Sequence, residues 1–338
     1  MLDVCLAGTA GMVPLPNRWL TTLYASCEGS SLLIDCGEGT QIALAESGLK
    51  LKPIDVICIT HFHADHIAGL PGLLLSMGNT GRTDPVTIVG PSGLRHVLQG
   101  LLVIAGGLPF DIGVVEIDPD GDEIRNGFVQ CGRMIIKAFA ADHVIPCLGY
   151  TVEIKRPGMF LADKAESLGI PKEYWSRLQH GETVTVPADV PDGSSSGSGT
   201  ASGTTSDTSH DPAPATVKGA TFIPSAVMGP ERRGIKILYS TDTRPVRDMA
   251  ELGKDADLMI LEGNYESNEK MEKAVEWGHM TFPEAAQIAA EAGAHELWLT
   301  HFSQSIEDPA VFEENAKAIF TNTVVGYDGL KKTIDFAD

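Results

Sequence analysis

The sequence predicts a layered α/β fold in which helices flank sheets. Short apolar runs typical of β-strands recur through the 338 residues, and segments with helical spacing, such as TQIALAESG and TFPEAAQIAAEAG, lie between them. Strands that alternate with helices on this scale are typical of sheets covered by helices. The length allows either two domains or one large α/β unit.

The first half of the chain begins with strands and turns. The runs DVCLAG, TTLYASCEG and SSLLIDCGEG are short, apolar and separated by glycines, which predicts antiparallel strands. A helix over TQIALAESG follows, and the continuous apolar run IDVICIT is typical of a strand covered on both faces. Further strands are predicted in VTIVGP, FVQCGRMIIKAFAADH and LGYTVEI.

The second half repeats this arrangement. Strands are predicted in IKILYSTDT, ADLMILEGN and ELWLTHFS, with a helix over TFPEAAQIAAEAG before the last of them. The two halves are therefore loosely alike in strand content, although the sequence contains no repeat of short period.

Two segments between these halves differ from their surroundings. The stretch 191–216 is nearly pure Ser, Gly, Thr, Pro and Asp, so it cannot bury enough apolar surface to offset the entropy of ordering, and we expect a flexible loop over 188–218. The preceding segment, 155–186, has an ordinary composition with helical pieces. We expect it to form an inserted, projecting arm.

The composition indicates the cellular compartment in which the protein works. No segment approaches the roughly 18 apolar residues of a membrane span, and the N-terminal MLDVCLAGTA lacks the basic and apolar regions of a signal peptide. The six cysteines contain no C-x-x-C pair, which is typical of reduced, buried thiols and argues against a zinc knuckle. The sequence therefore predicts a cytoplasmic protein that does not associate with a membrane.

The net charge of the chain bears on which class of molecule the protein binds. The net charge is −20, from 25 basic and 45 acidic residues with histidines neutral. Such a balance opposes broad electrostatic attraction to a nucleic-acid backbone. It leaves room for a local basic patch, and for metal ions that offset nearby carboxylates.

The segment THFHADHIAGLPG, at 60–72, predicts a metal site. Three imidazoles and a carboxylate directly after an apolar strand do little to stabilise a fold, but they are good ligands of a divalent ion. Three more candidates follow apolar strands in the same way. The predicted ligands are His61, His63, Asp65, His66, His143, Asp242 and His301.

Seven ligands suit two ions. One group contains His61, His63 and His143, and the other contains Asp65, His66 and His301, with Asp242 as the bridge between them. Imidazole and carboxylate are usual ligands of zinc, which we predict at two ions per subunit, with manganese as the alternative. A shared water bound there would be a hydroxide at neutral pH.

The H-x-H-x-D-H motif resembles that of the metallo-β-lactamase superfamily. This resemblance implies a single domain over 1–338 with a four-layer αββα sandwich and a dinuclear site at its rim. More specifically, the successive segments GTAGMVPLPNRWLTTL, LLIDCGEGTQ, THFHADHIAGLPGLL, VTIVGPSGL and STDTRP are similar to the ordered signatures of the ribonuclease Z family of tRNA 3′-processing endonucleases. The resemblance covers nearly the whole chain.

Membership of that family implies a zinc-dependent endoribonuclease that cleaves the 3′ trailer from tRNA precursors through a metal-bridging hydroxide. Asp65 matches the aspartate that binds metal and handles the proton of the nucleophile. His279, in WGHMT, matches the position of the general acid that protonates the leaving oxygen, and Glu262 is its expected partner.

The resemblance also indicates where RNA binds. Arg244 matches the family's DTRP segment and is expected to contact phosphate, as is Arg18, and the arm is expected to be an exosite that grips the precursor tRNA. The candidate phosphate contacts on the arm are Lys155, Arg156, Lys164, Lys172 and Arg177. A homodimer is also implied.

Two other classes of function compete with this interpretation. The first is a metal-dependent phosphodiesterase that acts on small or cyclic nucleotide esters, which the acidic composition favours. The second is a binding protein in which metal ions only stabilise the fold. It is disfavoured because all seven candidate ligands and His279 are present.

Overall fold

The computed structural model describes residues 1–121, 124, 127–187 and 219–337. They fall into two compact units, of which the first contains Met1–Lys155 and Gly234–Asp338 and the second contains Arg156–Arg233. The loop expected over 188–218 lies outside the described residues.

The first unit contains two seven-stranded sheets. The strands of the first sheet are β1 (Leu2–Gly8), β2 (Thr22–Cys27), β3 (Ser30–Ile34), β4 (Ile54–Cys58), β5 (Val86–Pro91), β6 (Ile112–Ile117) and β16 (Leu330–Ile334), in the order β16-β1-β2-β3-β4-β5-β6. Strands β16, β1, β2 and β3 pair antiparallel, whereas β3, β4, β5 and β6 pair in parallel. The predicted antiparallel opening and the doubly covered IDVICI strand are confirmed.

The second sheet begins antiparallel and continues in parallel. Its strands are β7 (Val129–Cys131), β8 (Met134–Ala141), β9 (Cys147–Arg156), β12 (Arg232–Ser240), β13 (Leu258–Glu262), β14 (Leu297–Thr300) and β15 (Thr323–Val325), in the order β15-β14-β13-β12-β9-β8-β7. Strands β12, β13, β14 and β15 run in parallel. The edge strands β6, β15 and β16 have no counterpart in the sequence prediction.

Side-chain alternation along the strands produces the layers. In β1, Val4 and Leu6 belong to a core that also contains Ile237 and Trp298 of the second sheet, whereas Cys5 packs in the core on the opposite face. Successive side chains of a strand point to opposite faces, so each sheet has one face toward its partner and one toward helices.

Helices cover both outer faces. The helices of the first unit are α1 (Thr40–Glu46), α2 (Ala64–Ile67), α3 (Leu70–Asn79), α4 (Leu94–Leu101), α7 (Arg247–Leu252), α8 (Met271–Trp277), α9 (Phe282–Ala292) and α10 (Glu314–Lys317). Apolar residues of α1, α3 and α4 pack on the first sheet, and those of α7, α9 and α10 pack on the second. The predicted αββα sandwich is confirmed.

The longest of these helices, α9, has clear start and stop signals. Thr281 and Glu284 form a reciprocal capping box at its N-terminus, and Gly293 ends it with a φ of 63°. No helix among the described residues is long and apolar enough to cross a membrane.

The second unit has a small core of its own. It contains α5 (Ala162–Ser167), α6 (Trp175–Gln179) and a two-stranded sheet of β10 (Val184–Thr185) and β11 (Thr221–Phe222). Buried Ala165, Ile170 and Leu178 form its centre with Val184 and Val227. The segment predicted as an arm, 155–186, enters this unit from the end of β9.

Trp298→Ala is expected to lower the free energy of unfolding by roughly 3–5 kcal/mol, because it opens a cavity between the two sheets. Trp298 is 1 % exposed in that core. Val103→Ala, at a side chain that is 79 % exposed, should change it by less than about 0.5 kcal/mol. Denaturant titrations of both variants measure the difference, and equal losses would contradict this account of the core.

Candidate metal centre

Five of the seven candidate ligands lie just beyond the ends of strands in the first unit. His61 and His63 follow β4, His143 follows β8, Asp242 follows β12, and His301 follows β14. Asp65 and His66 lie on the single-turn helix α2. Because the parallel strands β12, β13 and β14 end at one edge of their sheet, residues far apart in sequence meet there.

Donor atoms of the first group converge on one point. Nε2 of His61 lies 3.0 Å from Nδ1 of His63, which lies 3.3 Å from Nε2 of His143. Oδ1 of Asp242 is 3.8 Å from the His61 nitrogen and 3.9 Å from the His143 nitrogen. Two nitrogens bound to one tetrahedral zinc ion are separated by roughly 3.3 Å, so these spacings fit a single ion.

The second group meets in the same way. Nε2 of His66 lies 3.2 Å from Nε2 of His301, and Oδ2 of Asp65 lies 3.4 and 3.6 Å from these two nitrogens. Oδ2 of Asp242 is 3.1 Å from the His66 nitrogen and 3.0 Å from that of His301. The two oxygens of Asp242 therefore face different donor groups.

The surroundings of Asp242 test whether these residues suit metal ions. Its Oδ2 atom is buried and has no hydrogen-bond partner among the described residues. Burial would raise the pKa of this carboxyl, but the charges of neighbouring imidazoles, chiefly His301 and His66, hold it well below its ordinary range. A buried, ionised carboxylate between two sets of imidazole nitrogens fits a pair of divalent cations.

Two imidazoles of the first group have a partner at the ring nitrogen that faces away from it. Nδ1 of His143 donates to the carbonyl oxygen of Gly278 at 3.0 Å, and Nδ1 of His61 lies 3.0 Å from the Thr60 hydroxyl. Such partners fix the tautomer, so that the lone pair of the other nitrogen is available to a metal.

Asp35 orients His66 and was not predicted from the sequence. It is fully buried, and its Oδ2 atom accepts a hydrogen bond from His66 Nδ1 at 2.8 Å. Oδ1 accepts from the Thr60 backbone N–H at 2.8 Å. Its φ of 64° is unusual outside glycine. The available signal was an aspartate at the end of a buried strand, in LLIDCGEG.

The loop at Gly11 and Met12 holds the second donor group. The Met12 backbone N–H donates to Oδ2 of Asp65 at 2.8 Å, and Met12 has a φ of 67°. A Cβ atom on Gly11 would lie 2.8 Å from Cε1 of His301, so only glycine fits there without moving that ring. Sequence analysis also did not predict these roles of the Gly11 and Met12 backbone.

His279 lies beside the two groups and is bound to Glu262. Its Nδ1 donates to Oε2 of Glu262 at 2.9 Å, while Oε1 of Glu262 accepts from the Thr243 backbone N–H at 2.6 Å. Burial would lower the pKa of His279, but the charge and hydrogen bond of Glu262 outweigh it and raise that pKa. The predicted His279–Glu262 pairing is therefore present in the structure.

Comparisons with known proteins agree with this geometry. A family model described as the anti-Pycsar protein Apyc1 matches residues 5–105, and one described as a beta-lactamase superfamily domain matches residues 173–302. The short form of human tRNase Z superposes with a TM-score of 0.65 at 26 % identity, covering 99 % of this chain and 100 % of the human one.

Sequence relatives decide the family. The ribonuclease Z of Lachnoclostridium phytofermentans is 45 % identical over 337 residues, which cover 99 % of both chains. That of Agathobacter rectalis is 46 % identical over 328 residues, or 97 % of this chain and 96 % of the relative. The chain belongs to the ribonuclease Z family. It is a metal-dependent phosphodiesterase with buried His/Asp clusters.

The two arginines that were predicted from the sequence to contact phosphate have protein partners in the structure. The Arg244 guanidinium pairs with the Glu284 carboxylate and donates to the carbonyl oxygen of His279. Nη2 of Arg18 donates to the carbonyl oxygens of Ile306 and Glu307, at 2.9 and 2.7 Å. Arg244 thus supports the His279 loop, and phosphate contact by either arginine stays a prediction.

The cations predicted on the arm are mostly exposed. Lys172 pairs with Glu166 at 3.3 Å and lies over the Trp175 ring, and Arg177 pairs with Glu182 at 2.8 Å. Lys155 and Lys164 are exposed, and Arg156 is half-buried. Exposed ion pairs are weak, so the two paired cations could exchange their partners for phosphates.

Asp35→Asn is expected to weaken metal binding by about 10- to 100-fold, because the amide is a poorer acceptor for His66 Nδ1–H and no longer fixes its tautomer. Chelator competition, with bound metal quantified, measures this affinity. Asp248→Asn, at an exposed position on α7, is the matched control and should bind metal as the wild type does. An unchanged affinity in Asp35→Asn would contradict the orienting role.

Proposed function

We propose that this ribonuclease Z is a zinc-dependent endoribonuclease whose two ions act on the 3′ trailer of tRNA precursors. The observation that carries the proposal is that one buried carboxylate, Asp242, lies between two donor groups, with the His279–Glu262 pair beside them. A phosphodiester needs an activated water on one side of phosphorus and a proton for the leaving oxygen on the other.

The donor groups define how the ions would be held. His61, His63 and His143 would hold one zinc ion, Asp65, His66 and His301 would hold the other, and Asp242 would be shared between them. When bound, the ions supply a water of lowered pKa and Lewis acidity at the phosphate oxygens. Donor spacing and the unpartnered Asp242 oxygen support this division.

Asp65 accepts the proton of the attacking water in this scheme. Its Oδ2 atom is held by the Met12 N–H and lies among the second donor group, which leaves Oδ1 for the proton. Burial opposes ionisation, but the hydrogen bonds and charges of His301 and His66 hold the pKa of Asp65 well below its ordinary range, so it starts the reaction as a carboxylate.

His279 donates a proton to the leaving 3′-oxygen. Glu262 engages Nδ1, so Nε2 is the nitrogen that gives up its proton. The raised pKa of His279 favours the protonated ring that a general acid needs. The Arg244 guanidinium donates to the backbone carbonyl oxygen of His279 and so keeps this histidine in place.

Substrate recognition is assigned to the arm and to the two arginines. We infer that the arm over 155–186 is an exosite for the tRNA body, with Lys155, Arg156, Lys164, Lys172 and Arg177 as phosphate contacts. Exposed cations on a strongly acidic protein support a localised contact. Arg18 and Arg244 are the phosphate contacts proposed within the unit that contains the donor groups.

We also propose that the protein works in the cytoplasm as a homodimer. All six cysteines are free and buried, which suits a reducing compartment. The dimer rests on the family resemblance alone. Sedimentation or light scattering of the purified protein tests it directly.

A phosphodiesterase of small or cyclic nucleotide esters is the second candidate. The net charge of −20 favours it, because an acidic surface opposes binding of a large polyanion. The metal centre would serve either substrate, so the two functions differ only in what the rest of the protein binds.

We expect the wild type to cut a tRNA precursor near the discriminator base, and Asp65→Ala to lose nearly all activity with reduced metal content. Gel analysis of the RNA and metal quantification measure both. Intact trailers with rapid turnover of small phosphodiesters would support the second candidate. A metal-replete protein that is inert toward every phosphodiester would reject both.

His279→Gln is expected to lower kcat for precursor cleavage by about 10²- to 10⁴-fold, because the leaving oxygen loses its proton donor. Its metal content should match the wild type, since His279 belongs to neither proposed ligand triad. A substrate whose leaving group needs no proton, such as a p-nitrophenyl ester, should show a much smaller loss. Equal losses on both substrates would exclude the general-acid role.

A further inference from the structure

We propose that Trp277 and Lys273 form a subsite for the single-stranded 3′ segment of the RNA, in which the Trp277 indole stacks on a nucleobase. The inference rests on the proposed function and adds a binding contact to it. Both residues lie on α8, the helix that precedes His279.

Trp277 differs from the other three tryptophans. Trp298 donates its indole N–H to Glu296, Trp175 donates to the Ile170 carbonyl, and Trp19 donates to Glu46. Trp277 is 56 % exposed, and its indole has neither a hydrogen bond nor a ring contact with the described residues. A large aromatic ring left open to solvent is typical of a binding surface.

A short, well-fixed turn links Trp277 to the metal centre. Gly278 follows it with a φ of 69°, and the Gly278 carbonyl oxygen accepts the hydrogen bond of His143 Nδ1. A Cβ atom on Gly278 would lie 2.9 Å from that nitrogen, so the turn packs closely against the candidate ligand His143. Trp277 and His279 are two residues apart, which places their Cα atoms within about 7 Å.

Lys273 lies on the same face of α8 as Trp277. Residues four apart in a helix are surface neighbours. Lys273 is exposed and makes no ion pair with the part of the chain that the structure describes. Glu276, three residues after Lys273, is also exposed and is a second surface neighbour of it, whereas Glu272 is exposed on an adjacent face. The approach to Lys273 along Trp277 therefore carries no carboxylate of α8, and Glu276 would repel a phosphate beside it.

Stacking suits this substrate better than added charge would. Single-stranded RNA is bound by aromatic rings on which unpaired bases stack, and this contact tolerates any base sequence. A protein of net charge −20 gains little from long-range attraction to phosphates. The surface on the other side of Gly278 is also apolar. Val144 is 57 % exposed there, and its backbone N atom would lie 3.4 Å from a Cβ atom on Gly278.

The test compares steady-state cleavage of a tRNA precursor by Trp277→Ala, Trp277→Phe and Lys273→Ala. We expect Trp277→Ala to raise KM about 5- to 100-fold with a much smaller change in kcat, and Trp277→Phe to recover most of the loss. Lys273→Ala should raise KM and lower the slope of log K against log salt by about 0.7. Phe128→Ala, at an aromatic that is 61 % exposed, is the control and should match the wild type.

A fluorescence titration with single-stranded RNA tests the contact without cleavage. The RNA should quench wild-type tryptophan emission, and the quenching should be lost in Trp277→Phe. Unchanged KM in Trp277→Ala, or equal quenching in Trp277→Phe, would overturn the subsite. If the wild type failed to cut the precursor, the proposed function would fall, while the titration would still decide whether a base stacks on Trp277.

Discussion

One buried carboxylate organises the centre of this protein. The two oxygens of Asp242 face different sets of imidazole nitrogens, at 3.0 and 3.1 Å on one side and 3.8 and 3.9 Å on the other. Burying a carboxylate costs several kcal/mol unless positive charge lies beside it. Either protonated imidazoles or divalent ions can supply that charge, and a divalent ion would also use the lone pairs of the imidazole nitrogens. The close packing of seven polar side chains at one strand edge is explained by that requirement.

The sheets bring these side chains together through register. Glu262 pairs with Thr300 across β13 and β14, and Ser240 pairs with Leu261 across β12 and β13. Asp242, Glu262 and His301 therefore leave the sheet at nearly the same level, so a shift of one residue would break both the donor groups and the general-acid pair. Helix-covered cores on both outer faces hold the strands in that register. The fold and the chemistry thus depend on the same strand pairings.

Sequence analysis found the residues of this centre that a local sequence pattern identifies. H-x-H-x-D-H is compact, and His143, Asp242 and His301 each follow an apolar strand, so residue type and position identify them. Asp35 was missed because its partner, His66, is 31 residues away and the contact depends on how β3 and β4 pair. The Met12 N–H was missed because a backbone donor has no side-chain signature. The edge strands β15 and β16 were missed because short, half-exposed strands lack a strong apolar pattern.

The acidic net charge of the chain is compatible with a polyanionic substrate when the position of each acidic group is taken into account. Asp35, Asp65, Asp242 and Glu262 contribute to the net charge of −20, but they lie at the metal centre, where imidazoles and the proposed ions offset them. Charge that is neutralised locally does not repel RNA at a distance beyond a Debye length of roughly 8 Å. The acidic groups that do face solvent leave few surfaces for phosphate, so binding must be confined to specific cations and to uncharged contacts with bases. An acidic enzyme of this kind would gain its affinity for RNA from a small number of well-placed contacts, and a short ligand would reach fewer of them than a structured RNA would.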